Sequence, residues 1–239
     1  AAAGYAAEFE FERGKYHFRK DELEKAKLRF DLVRIQFPKA PVVPEVMYWT
    51  ARVHELQQNP QFAIQLYDSI LRFYPNSAVI PRTQLSIGNV YYTLEQWDPA
   101  AKMYKAILDN PEHSPELVQY AMNNLILTYK ELNLFDAALE VMRKYIASYP
   151  EDPDLIDKRI DIGVLYQKLA YYDQSILHLT NLLETGNGQI EPELRYYIGE
   201  AYFYKGDYQQ AILEFLKVPY LVGRTGKIDW TATSYYMAG

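Results

Sequence analysis

Apolar positions recur along this chain at helical spacing, and the helical blocks themselves recur at a longer interval. Leu85, Ile87, Val90, Tyr91 and Leu94 share one face of a first segment, and Ala100, Met103, Tyr104, Ile107 and Leu108 share one face of a second. The polar stretch Gln96-Trp97-Asp98-Pro99 separates them. The same block returns around Ala211, which is followed four residues later by Phe215 and preceded nine and twelve residues earlier by Tyr202 and Gly199. Ser175, Ala138, Ala100, Ala63 and Ala26 hold the same phase. Leu179, Met142, Tyr104, Tyr67 and Phe30 follow them; Tyr166, Tyr129, Tyr91, His54 and His17 precede them, and before those stand Gly163, Ile126, Gly88, Ala51 and Gly14. The markers lie 37, 37, 38, 37 and 36 residues apart. Such a period is the mark of a repeat architecture.

Each block predicts a helix, a tight turn, a second helix and a proline-bearing loop. Asp98 followed by Pro99 reads as N-cap and first helical residue. Pro38, Pro75, Pro111 and Pro150 stand where the second helix should stop, because proline removes a helical hydrogen bond and clashes with the preceding turn. The expected units run over residues 5–40, 41–77, 78–113, 114–151, 152–189 and 190–226, with a partial seventh over 227–239. A glycine inside a helix costs about 1 kcal/mol against alanine. The repeated glycine is therefore expected to permit a close crossing of the two helices, near 8 Å between axes, with Gly199 facing Ala211 and the rings of Tyr202 and Phe215 filling the space beside them. Ile126 breaks the pattern, so the fourth pair is expected to sit farther apart.

Gly-x-x-Tyr, then Tyr-x-x-Ala-x-x-x-Phe, then a proline, resembles the signature of the tetratricopeptide repeat family. Gly199, Tyr202, Tyr208, Ala211 and Phe215 carry it, and Gly88, Tyr91, Trp97, Ala100 and Tyr104 match nearly as well. The resemblance covers about residues 5–239. It implies an all-α fold, a right-handed α-α superhelix of about six helix hairpins plus a partial seventh, in a single solenoid domain. The period exceeds the usual ~34 residues, with PKAPVVPEV and PNSAVIPRT read as extended loops. In this the chain is similar to long-period arrays of bacterial outer-membrane assembly lipoproteins and periplasmic cell-division coordinators, which tilts the expected location towards the periplasm or cell envelope. Gly239 would be the glycine of a seventh unit whose aromatic texture predicts a fragment of a longer array, or an end covered by another molecule through self-association.

Composition narrows the function. Lys and Arg number 25 against 31 Asp and Glu, for a net charge of −6. Residues 1–40 carry 9 basic against 7 acidic side chains and the remainder 16 against 24. That balance argues against a general nucleic-acid binder, whose affinity rests on a basic surface. Without cysteine there is no disulfide, thiolate nucleophile or thiolate metal site. No apolar run approaches a membrane span. The run FRKDELEKAKLRF reads as solvated helix with i,i+4 partners. His17 and His54 stand where other units carry tyrosine, so they read as aromatic packing positions, and no zinc spacing accompanies them. Gly186-Asn187-Gly188 reads as a loop, and Glu151, Asp152 and Asp154 as carboxylates complementing a helix start. No Walker loop, dinucleotide fingerprint or nucleophile elbow is present, so no catalytic residue, metal or cofactor is assigned. The 23 tyrosines favour half-buried positions and binding surfaces.

The resemblance further implies a concave groove lined by the first helices. Its positions fall on Phe11, Lys15, Phe18 and Arg19; Tyr48, Arg52 and Glu55; Arg82, Leu85, Asn89 and Tyr92; Asn123, Leu127 and Lys130; Ile160, Val164 and Gln167; and Tyr196, Glu200, Phe203 and Tyr204. Of these, Tyr48, Arg52, Arg82, Asn89, Tyr92, Asn123, Lys130, Tyr196 and Phe203 are the expected partner-binding residues, aromatic anchors mixed with Arg and Asn as protein interfaces enrich. Asn89 and Asn124 resemble two asparagines of the family's clamp for a peptide's terminal carboxylate, but Leu85 replaces its lysine and Ile156 and Asp161 its later basic pair, which disfavours chaperone-tail binding. The expected function is a non-catalytic protein-interaction scaffold within a larger bacterial assembly; the alternative is the repeat portion of an enzyme or sensor whose active domain lies elsewhere.

Overall fold

A computed structural model describes residues 2–110, 113–186, 188–221, 223 and 228–239. Among them are thirteen α-helices and no strand. Ten pair in sequence as hairpins: α1 (Ala2–Arg19) with α2 (Leu23–Gln36), α3 (Val43–Leu56) with α4 (Pro60–Phe73), α5 (Ile80–Thr93) with α6 (Trp97–Leu108), α9 (Leu155–Lys168) with α10 (Tyr172–Thr185), and α11 (Glu191–Lys205) with α12 (Tyr208–Lys217); between them, α7 (Pro115–Glu131) packs against α6 and α8 (Phe135–Ser148) against α9. A last helix, α13, spans Trp230–Ala238. The chain divides into two compact units, Ala1–Leu132 and Asn133–Gly239. The division falls between α7 and α8, so the wider spacing expected at Ile126 stays an expectation.

Two boundaries differ from the sequence reading. α6 begins at Trp97 with Gln96 as its cap, so Asp98 and Pro99 already lie in its first turn. The segments read as long loops are shorter, because Val43-Pro44-Glu45 and Ile80-Pro81 open α3 and α5; proline is tolerated there since the first helical N–H groups lack partners in any case. Pro38, Pro75 and Pro150 do follow the ends of α2, α4 and α8. Pro111 and Asn187 lie outside the described residues.

The repeated glycine works differently from the expected small-on-small crossing. A Cβ added at Gly88 would stand 2.6 Å from the Tyr104 ring, and one at Gly199 2.7 Å from the Phe215 ring. Gly14 meets Phe30 and Gly163 meets Leu179 in the same way. The glycine of the first helix is thus a socket for the large side chain four residues after the marker. The marker itself, Ala26, Ala63, Ala100 or Ala211, is buried in the hairpin core. In the second hairpin Ala51 replaces the glycine and Tyr67 the ring, both fully buried.

The tight turns share one device that the hydrophobic pattern does not announce. Asp21, Gln58, Glu95, Asn133, Ala170 and Gly206 all have positive φ, between 56° and 91°, and all stand five residues before a marker. In the second hairpin the Asn59 N–H donates to the His54 carbonyl and the Gln58 N–H to that of Glu55, the bonding of a Schellman motif. Ala170 adopts this conformation without a side chain that helps it. Ala170→Gly is expected to raise stability by about 0.5–1 kcal/mol, the relief of left-handed strain less the added freedom of the unfolded chain. Urea denaturation followed by circular dichroism checks it.

Candidate functional site

Within residues 1–132 the first helices are tied side by side through their polar side chains. Tyr48 Oη and Ser86 Oγ are 3.2 Å apart, linking α3 to α5. Arg82 bridges to Glu45 at 2.5 Å and lies 5.3 Å from the centre of the Tyr48 ring. Asn124 Nδ2 donates to Asn89 Oδ1 at 2.9 Å, linking α7 to α5. These bonds place Tyr48, Arg82 and Asn89 on one shared face.

That face is held from below by the socketed rings. Tyr104 lies beneath Gly88, and its hydroxyl donates to Asn89 Oδ1 at 2.8 Å. Tyr67 does the same in the preceding hairpin, its hydroxyl donating to Glu55 Oε1. Burial pushes both phenols above their ordinary pKa, so each remains a donor. Because Asn89 Oδ1 accepts twice, its amide orientation is set and its NH₂ is directed away from those partners. Glu55 also accepts from Arg52 at 3.1 Å; burial nonetheless raises its carboxyl above the usual range, opposed by Tyr67 and Arg52. A cavity of about 320 Å³ opens between these groups, with Pro60, Val90 and Leu94 as apolar walls and Glu55, Asn89 and Thr93 as polar edges.

The other expected residues divide into surface and interior. Tyr92 is half-buried with its ring 4.8 Å from Trp97. Asn123 and Lys130 are half-buried on α7 and engaged in interactions of their own. Leu127 is exposed and Leu85 half-buried. Lys15 pairs with Glu12 and Phe18 packs edge-on against Trp49. Phe11 is core, beside Phe30. Within residues 133–239, Phe203 and Tyr204 are exposed, whereas Ile160 and Gln167 are buried. Tyr196 is also buried, its ring 5.6 Å from Phe215 and 5.2 Å from Trp230 of α13. Packing thus takes up Phe11, Ile160, Gln167 and Tyr196, because each points towards a neighbouring helix rather than outwards.

Of the two histidines read as aromatic packing positions, His54 is one and His17 instead contacts a carboxylate. His54 packs against Phe62 at 4.8 Å; burial lowers its pKa, and its Nδ1 is enclosed without a hydrogen-bond partner. His17 contacts Glu22 at 2.6 Å. Sequence reasoning missed Ser86, Tyr67 and Tyr104 as supports of the face. Their signal was present: where the ring at the socket is tyrosine, its hydroxyl must emerge somewhere, and a buried phenol requires a partner.

Among the described residues no helix is long and apolar enough to cross a membrane, and no group of three His, Cys, Asp or Glu stands in metal-holding proximity. A family model described as tetratricopeptide repeat matches residues 11–78 and 85–153, more than half of the chain. No curated protein matches the sequence. Solved structures of similar fold include MamA from Desulfovibrio magneticus RS-1, 18% identical over 74% of this chain and 93% of that one, with a TM-score of 0.58. PilF of Pseudomonas aeruginosa is 15% identical over 99% and 100%, with a TM-score of 0.58. YrrB, described as a TPR protein with an unusual peptide-binding site, is 17% identical over 79% and 90%, with a TM-score of 0.56. At these identities the likeness is one of fold.

Proposed function

Since this chain belongs to the tetratricopeptide repeat family, whose members are in general protein-interaction scaffolds, we propose that it is a non-catalytic scaffold binding an extended segment of another protein. The binding face is that of α3, α5 and α7, with Tyr48, Arg52, Arg82, Asn89, Tyr92, Asn123 and Lys130 as its contact residues. One observation carries this reading: Asn89 is fixed by Tyr104 and Asn124 with its amide donors left over, beside a cavity with apolar walls. An oriented donor above an apolar floor suits a main-chain carbonyl whose side chain enters the cavity. The carboxylate-clamp alternative lacks its lysine, so an internal segment fits better than a chain terminus. The long repeat period favours a module of a larger bacterial, envelope-associated assembly.

The test is affinity capture from the source cell extract, with the captured proteins then titrated in purified form. Tyr48→Ala, Arg52→Ala and Tyr92→Ala combined should weaken binding by at least tenfold, since truncating an interface anchor costs about 2 kcal/mol or more. Unchanged affinity in a variant with an unchanged melting temperature would rule this face out.

A further inference from the structure

Glu200 of α11 is placed unlike the other half-buried carboxylates. Its neighbours one turn away on the same helix are all aromatic: Tyr196 and Tyr197 before it, Phe203 and Tyr204 after it. Among the described residues its one hydrogen bond is from the Tyr196 hydroxyl, long at 3.4 Å. Glu55, by contrast, has Arg52 one turn back on its own helix. The cations that could serve Glu200 are otherwise placed: Lys205 is bound to Asp173 at 2.6 Å, and Lys168 of α9 attracts Glu200 without forming an ion pair. Burial raises the Glu200 carboxyl above its ordinary range, opposed by Lys168 and the Tyr196 hydroxyl.

The surroundings select what would complete it. Phe203 is 39% and Tyr204 55% exposed, and Tyr204 stacks on Tyr172 at 6.3 Å and 25°. Burial first, then Glu193, Glu200 and Asp161 push the pKa of the Tyr197 hydroxyl up to about 12, so Glu193 and Asp161 add to the negative field of Glu200 there. Residues 133–239 carry ten Lys and Arg against fifteen Asp and Glu. A carboxylate one turn from two exposed aromatic side chains in an acidic unit calls for a flat, weakly hydrated cation. Arginine stacks on aromatic rings and donates to carboxylates from one planar group, whereas lysine is a compact, strongly hydrated charge.

We infer that Glu200, Phe203 and Tyr204 form a subsite for an arginine side chain of a partner protein. The inference rests on the scaffold reading and gives it a chemical preference. Its residues are not those of the α3–α5–α7 face, so each stands or falls by its own variants.

Amide NMR titration of the whole chain tests it, with acetyl-Ala-Leu-Arg-Ala-amide as probe and the same peptide carrying neutral, isosteric citrulline as control. The arginine peptide should shift the α11 resonances from Tyr196 to Tyr204 and bind at least tenfold more tightly than its control. Glu200→Gln should erase that preference with the melting temperature unchanged, and Tyr204→Leu should reduce it. Equal binding of the two peptides, an undiminished preference in Glu200→Gln, or no α11 shift at saturating peptide would overturn the subsite. A dimer in sedimentation velocity that Glu200→Gln dissolves would overturn the choice of an outside partner and assign the arginine to a second copy.

Discussion

Replacing Gly88 with valine is expected to cost about 3 kcal/mol, although valine is the better helix former. A Cβ at this position would stand 2.6 Å from the Tyr104 ring, and the branched methyls of valine extend further into the same space. The ring has little room to retreat: it is 1% exposed, and its hydroxyl is tied to Asn89. Either α5 and α6 move apart, losing the contacts of Ala100 and Ile107, or the ring leaves its well. Tyr104→Ala alone should cost about 4 kcal/mol, from lost volume and one lost hydrogen bond. If the socket is the cause, the double variant should cost at least ~1 kcal/mol less than the sum, because alanine leaves space for the valine. Leucine would not serve, since a Cβ at Gly163 would stand 2.4 Å from Leu179 in the equivalent well. Urea denaturation of the three variants settles it, and strict additivity would show that the clash lies elsewhere. Tyr104 links packing to the proposed site, so amides around Asn89 should also shift in Tyr104→Ala.

The hairpins were legible in the sequence because their cause is local and repeated. Apolar spacing, the glycine phase and the prolines each mark an element without reference to the rest of the fold, and the thirteen helices of the described residues follow from them. What the spacing could not supply was direction. Glycine phase identifies a close approach, but it cannot say whether the approaching group is Ala211 or Phe215, since both recur with it; the answer depends on how far α12 is rotated about its axis. The same gap explains the groove positions. Tyr48 and Tyr196 share a phase, yet Tyr48 bonds across to Ser86 while Tyr196 is roofed by Trp230 from a helix far along the chain. Glu200 was named only as one groove position among many, because an ion pair that fails to form leaves no mark in a sequence.

Ion pairs that do form across a hairpin give the second large expected effect. Arg195 of α11 meets Glu214 of α12 at 2.9 Å, with the two side chains only 20% and 13% exposed. In the first hairpin the same two phases hold the reverse pair, Glu10 of α1 and Arg29 of α2, at 3.2 Å. The site therefore accepts either polarity, provided the charges differ. Glu214→Arg would set a guanidinium against Arg195 beside Lys217, which now bonds Glu214 at 2.5 Å. Breaking a well-buried pair costs about 3–5 kcal/mol, and the residual solvent access here brings the expected loss to roughly 2–3 kcal/mol. Adding Arg195→Glu should restore about 2 kcal/mol, since it rebuilds the arrangement of the first hairpin. Restoration should be partial, because the introduced carboxylate would face Glu191, the present partner of Arg195 at 2.7 Å, from four residues along the same helix. Single and double variants compared by denaturation at low and high salt test this. A double variant no more stable than Glu214→Arg would mean that hairpin geometry, rather than charge complementarity, sets what these two positions tolerate.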